Sequence, residues 1–159
     1  MQLFFRQNRN LIIFFIFLFV TGCNSPEESE DNTLTIEVGS QNVLVEIADT
    51  PQEWELGLSY RDTLAIDHGM LFVFPNESRR VFWMKGCYFD IDLAYIESNG
   101  TISEIMTMKK EPINTPPESL KTYPSQSTTI KYALEMIGRW FEEHNVNVDT
   151  EINLEQINN

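Results

Sequence analysis

The chain is short of the residues on which most site chemistry depends. Its 159 residues include two histidines and two cysteines, and 11 Lys plus Arg stand against 24 Asp plus Glu. His68 and His144 are far apart, and no Cys-x-x-Cys or His-x-x-x-His spacing occurs, so the sequence suggests no zinc site or other metal centre. It has no Gly-x-Ser-x-Gly elbow and no phosphate-binding glycine loop, which removes the commonest hydrolase and nucleotide signatures, and no cofactor is expected. A formal net charge of −13 argues against nucleic acid as a partner, because that binding needs clustered cations. The longest apolar run, residues 11–20, has ten residues, half of the roughly 20 that a membrane-spanning helix needs.

What is present begins with an address. "MQLFFRQNRN" carries Arg6 and Arg9 without an acid, "LIIFFIFLFV" is fully apolar, and "VTGC" supplies small residues before Cys23. That order describes a secretory leader over residues 1–22. The ending Val20-Thr21-Gly22-Cys23 resembles the bacterial lipobox, which implies lipidation of Cys23 and a mature chain that starts there. The expected location is the cell envelope, outside the cytoplasm and anchored by lipid. Asn24 stands where an aspartate marks inner-membrane retention in enteric bacteria, so the outer membrane is a possible destination. Two of the eleven basic residues leave with the leader, and nine remain against 24 acids. Such a surface disfavours anionic headgroups, so the acyl chain alone would hold the protein at its membrane. With Cys23 modified, Cys87 has no partner for an intramolecular disulfide.

"NSPEESEDN" is acidic and without apolar residues, so residues 23–32 read as the lipidated cysteine and a solvated tether. Fully extended, that tether reaches about 30 Å. Residues 33–159 suit one domain. "TLTIEV" and "VLVEIA" alternate with a period of two around "GSQN", the pattern of a hairpin. In "DTPQEWELGLSYR", Thr50, Pro51 and Glu53 predict a capped helix that ends near Gly57 to Tyr60. "HGMLFVFP" reads as a buried strand stopped by Pro75, and "RRVFWMK" as the next one. Asn99-Gly100 predicts a two-residue turn, which pairs residues whose numbers sum to 199. Asp90 then faces Lys109 and Asp92 faces Thr107, on a face set apart from the core side of Ile91, Leu93 and Tyr95. The proline-rich stretch 111–129 predicts a long irregular loop. "IKYALEM" reads as a strand, "IGRWFEEHN" as a short helix and "DTEINLE" as an edge strand. The expected fold is mainly β, a small antiparallel barrel or sandwich with one or two short helices.

Few residues offer chemistry. Cys87 is the one candidate nucleophile, but it needs a base or a positive field, and a lone cysteine commonly just packs. Asp90 and Asp92 lie about 7 Å apart on one strand face, a spacing open to glycosidase chemistry. Hydrolases flank their substrate from both sides, however, and an ion pair with Lys109 is the plainer reading. Trp83 and Lys85 share a strand face that can stack and hydrogen-bond a sugar, or place a lysine over a core tryptophan.

"VEIADTPQEWELGLSYR", "HGMLFVFP", "FWMKGC", "IDLAYIESNG" and "LEMIGRWFEEHNVNVD" occur together in the order and spacing of a known family. Over residues 43–152 the chain resembles the bacterial and archaeal domain of unknown function 192. The resemblance implies a small β-rich, barrel-like domain, commonly exported or membrane-anchored, and carries no activity, cofactor or catalytic set. Gly86-Cys87 stands where the family usually has Asn-Thr, Asp90 where it has Pro, and Ser59-Tyr60 where it has Met-Phe. Val148-Asp149 replaces a late Gly-Asp turn. Arg61, Trp83, Lys85 and Asp92 match the family pattern and form the candidate binding cleft, or else an internal ion pair that fixes the fold. The leading expectation is a lipid-anchored envelope domain that binds a glycan, peptide or small molecule. The alternatives are a protein-interaction or structural module and, more remotely, an enzyme built on Cys87 or the aspartates.

Overall fold

The two alternating segments near the start of the domain pair as expected: β1 (Thr33–Val38) and β2 (Gln41–Ala48) form an antiparallel hairpin. These and the elements below belong to a computed structural model that describes residues 32–157. The expected leader, lipidated Cys23 and all of the tether but residue 32 lie outside the described residues.

After β2 the chain turns through α1 (Pro51–Leu56) and returns as β3 (His68–Ser78), which lies parallel to β2. The strand runs through Pro75 instead of stopping there. Its register with β8 (Ile130–Ile137) shifts between Val73 and Ser78, and such an irregularity tolerates a residue that lacks an N–H. Short β4 (Val81–Trp83) pairs only with β7 (Thr122–Pro124), so the proline-rich stretch is not wholly irregular. The hairpin of β5 (Ile91–Glu97) and β6 (Ile102–Met108) completes a six-stranded sheet in the order β1-β2-β3-β8-β5-β6. The mainly β class is as expected, with two short α-helices among the described residues, α1 and α2 (Trp140–Glu143). The sheet does not close into a barrel, and β2 beside β3 is its one parallel pair. The expected strand at "DTEINLE" is reduced to single bridges, Val38 with Ile152 and Thr101 with Glu151.

The pairing sum of 199 holds from Ile91–Met108 to Tyr95–Glu104. Nearer the turn it drops by one, to Ile96–Ile102, because the loop is longer than two residues. Glu97 N–H donates to Thr101 O at 3.0 Å and Gly100 N–H to Glu97 O at 3.0 Å, with Gly100 at φ +87°. Ser103 takes up the extra residue as a bulge, and its hydroxyl donates to Tyr95 O at 3.2 Å.

Both faces of this sheet are buried, so one core becomes two. Val43, Val45, Leu71, Ala94, Ile96, Leu134 and Met136 pack under Trp140, Phe141, Val146 and Ile152. Met70, Phe72, Phe74, Ile91, Leu93, Tyr95 and Ala133 pack under Leu58, Leu64, Met84, Cys87 and Tyr123. The expectation that Asp92 lies off the core is therefore corrected. It is 3% exposed within the first layer, where it accepts from the Thr107 hydroxyl at 2.7 Å and from Phe141 N–H at 3.3 Å. Asp90 does stay at the surface, with Lys109 Nζ at 2.9 Å and Lys110 N–H at 2.9 Å.

Candidate functional site

The second face carries a cleft, and local sequence explains its shape. Thr50 and Glu53 cap α1 reciprocally, with Glu53 N–H donating to Thr50 Oγ1 and Thr50 N–H to Glu53 Oε2. Trp54 then anchors α1 by donating its indole N–H to Ala48 O at 2.9 Å and packs on Phe74 with ring centroids 5.3 Å apart. The helix ends at Gly57, at φ +49°, a conformation that glycine adopts without strain. A Cβ there would stand 3.4 Å from the Phe72 ring and 3.6 Å from Glu135 Oε2, both ordinary contact distances, so the positive φ and not lack of room favours glycine where the chain passes close to that carboxyl.

The floor consists of Phe72 and Phe74 from β3 and Glu135 from β8. Residues 54–59 form one wall and residues 79–83 the other, with Cys87 and Thr122 closing the remainder. The volume is about 420 Å³, within the range of small-ligand sites. Phe82 meets Phe72 edge-on at 4.9 Å and Tyr95 at 5.7 Å, giving the cleft an aromatic lining continuous with the core.

Glu135 is its unusual member. It sits on a central strand, opposite Met70 on one side and Leu93 on the other, and is 4% exposed. Its Oε2 is buried and has no hydrogen-bond partner among the described residues. Arg61 is the cation that favours its ionised form, but that guanidinium makes a bidentate pair with Glu46, with Nη2 to Oε2 at 2.7 Å. Burial prevails over that field and pushes the Glu135 carboxyl up to about 8, so it is a neutral acid at pH 7. On the opposite wall the Arg80 guanidinium lies 3.9 Å from the centre of the Phe74 ring and donates to Asn76 O and Oδ1. Its Nε is buried without a partner, and burial lowers its pKa.

Of the four residues expected from the sequence, Trp83 lines the cleft, 39% exposed at its rim. Lys85 stands beside it, with Nζ 5.5 Å from the indole centre and 3.5 Å from Glu55. Arg61 is turned to Glu46, and Asp92 belongs to the other face of the sheet, so the four do not form one cluster. Cys87 lines the cleft but is 4% exposed, and its thiol is pushed up to about 12, first by burial and then by the charge of Glu135. A thiol with that pKa stays protonated at neutral pH and is a poor nucleophile. Cys87 S–H and the Ser59 hydroxyl both donate to Lys85 O, so neither is bonded to a catalytic base. Among the described residues no group of three or more His, Cys, Asp and Glu could hold a metal ion. A larger depression of about 610 Å³ lies among turns near Glu37, Asn99 and Glu151, but it is open and polar and contains no orphaned buried group.

The sequence reading passed over Glu135 and Arg80. The signal for Glu135 is a single acid within "YALEMI", in a strand whose neighbouring residues are all apolar. Arg80 had no such signal, because its burial depends on the turn that brings it over Phe74.

An open, two-faced sheet with an aromatic cleft on one side defines a mainly β domain with room for a small ligand. The chain belongs to the family described as uncharacterised ACR, domain of unknown function 192, whose model matches residues 34–154. Two crystal structures share the fold. A provisionally assigned transcription regulator from Sinorhizobium meliloti 1021 is 29% identical, with a TM-score of 0.64 over 75% of this chain and 89% of its own. A protein of unknown function from Novosphingobium aromaticivorans DSM 12444 is 20% identical, with a TM-score of 0.63 over 76% of this chain and 83% of its own. No curated protein matches this chain.

Proposed function

We propose that this protein is a cell-envelope lipoprotein, anchored through Cys23, whose single domain binds a small ligand in the cleft between α1 and β4. The observation that carries the reading is Glu135, a buried carboxyl without a partner at the floor of an aromatic cleft. An unsatisfied buried polar group costs about 1–3 kcal/mol, a cost that a purely structural strand could avoid with an apolar residue. The rim supports the same reading. Leu56, Val81 and Trp83, three of the large hydrophobics left exposed, all border this cleft. Trp83 and Lys85 would meet the ligand at the entrance, with Arg61 held behind Glu46. The acyl anchor and a tether of about 30 Å would keep the cleft close to the membrane surface.

Two measurements on the full-length protein test this. Cys23→Ser should move it from the membrane fraction to the soluble fraction, and continued membrane association would remove the anchor. A thermal-shift screen of amino acids, short peptides and envelope glycans should raise Tm for at least one class, with a change in tryptophan emission from Trp54 or Trp83. If no compound moves either signal, the cleft is not a binding site.

A further inference from the structure

The polar groups around the cleft divide into matched and unmatched. Arg61 is paired with Glu46, Lys85 with Glu55 at 3.5 Å, and Arg79 Nε donates to Ser125 O at 2.8 Å. Glu135 Oε2 and Arg80 Nε are unmatched, and they are the two buried side-chain nitrogen or oxygen atoms without a partner among the described residues. Both belong to residues that line this one cleft. Both atoms are shielded from water in the empty cleft, and the open space beside both residues is the cleft itself, so a small side-chain movement would present either atom to a group seated there.

We propose that the ligand is a small zwitterion, of amino-acid or dipeptide kind, with its ammonium at Glu135, its carboxylate at Arg80 and an apolar side chain against Phe72 and Phe82. This deepens the binding function proposed above and rests on it. The charges select the class. A simple amine would answer Glu135 but share the cleft with the Arg80 guanidinium, already seated over Phe74. A simple carboxylate would answer Arg80 and face an acid on the floor. One acid and one arginine that has no carboxylate partner among the described residues ask for one group of each sign, and arginine suits a planar carboxylate. The aromatic walls then provide for an apolar or aromatic side chain.

An ammonium beside Glu135 also favours its ionised form. The carboxyl, neutral in the empty cleft at pH 7 because burial holds it near 8, would release its proton to the buffer on binding while the ammonium keeps its own.

The test is titration calorimetry on the full-length protein in detergent, with L-phenylalanine and the dipeptide Ala-Phe as zwitterions. Phenethylamine lacks the carboxylate of phenylalanine, and 3-phenylpropanoate lacks its ammonium. At least one zwitterion should bind about tenfold or more tighter than either truncated probe, since a hydrogen bond to a charged group is worth about that much. Heats measured in two buffers of different ionisation enthalpy should show proton release at pH 7. Glu135→Gln should weaken the zwitterion and phenethylamine, abolish the proton release and leave 3-phenylpropanoate unchanged. Arg80→Gln should do the converse, and a thermal melt of each variant establishes that it is folded. Equal binding of all probes, no binding of either zwitterion, or a folded Glu135→Gln protein with undiminished affinity overturns the proposal. Should a glycan bind instead, the zwitterion is wrong and the cleft remains a binding site. Should nothing in the wider screen bind, both ideas fall together.

Discussion

Asp92 and Glu135 are near neighbours on adjacent central strands, where Asp92 pairs with Met136 and Leu93 with Glu135, yet they point to opposite faces of the sheet. Their exposures are 3% and 4%. On one face the carboxylate oxygens each have a donor, one the hydroxyl of the strand beside it and the other an N–H of α2. On the other face an aromatic lining surrounds an oxygen that has none. Burial of an acid therefore does not by itself distinguish a site from a structural contact; the state of its partners does. Asp92 holds a helix to a sheet, whereas Glu135 has no visible structural task.

Replacing each acid in turn tests the contrast most directly. Asp92→Ala leaves the Phe141 N–H and the Thr107 hydroxyl without their acceptor, and should cost about 2–4 kcal/mol in urea unfolding. A loss below about 1 kcal/mol would mean that the partnered face is not held by this carboxylate. Glu135→Met should act in the opposite direction, raising stability by about 1–3 kcal/mol at pH 8, because it removes an unsatisfied group without breaking a bond. The pH dependence carries the same message. Glu135 loses its proton near 4.5 in the unfolded chain and near 8 in the fold. Between those values the unfolded state binds fewer protons, so the Glu135 contribution to stability falls as pH rises, by at most about 1.4 kcal/mol per unit. The methionine variant should lack that decline, and parallel pH profiles for the two proteins would show that Glu135 does not titrate as its burial requires.

Smaller effects sharpen the picture of the cleft. Thr50→Ala removes the reciprocal cap of α1 and should cost about 1 kcal/mol, with a change in the emission of Trp54, which that helix carries into the wall. The smallest expected change is none at all. Cys87 should resist a thiol reagent in the folded protein and react in urea, and a mature chain lipidated at Cys23 should then show one reactive thiol instead of two.

Local pattern made much of this legible. The capping box of α1 follows from local sequence, and the β5–β6 register over Ile91 to Tyr95, with the contacts of Asp90 with Lys109 and Asp92 with Thr107, matches the expectation because the bulge at Ser103 offsets a loop one residue longer than the expected turn. What escaped is what depends on distant chain. Alternation along β5 suggested one core face, but α2 and the residues after it cover the other and turn Asp92 inward. The parallel alignment of β2 with β3 has no signature in either strand. Glu135 stood out only weakly as one acid in an apolar run, and its missing partner is a property of the assembled cleft.

That parallel pair has a consequence in time. Hairpins such as β1–β2 and β5–β6 join neighbours in sequence, but β2 and β3 can align only after residues 49–67 have crossed the sheet face. The same crossover brings α1 and Gly57 over Glu135, and Glu135 itself reaches the floor only when β8 pairs with β3, a link between still more distant parts of the chain. Contacts of long sequence separation are slow to form, and a nascent chain holding only its hairpins has no cleft. Ligand competence thus waits on pairings between distant parts of the chain, and slowed amide exchange at α1 would mark the moment at which the molecule becomes able to bind.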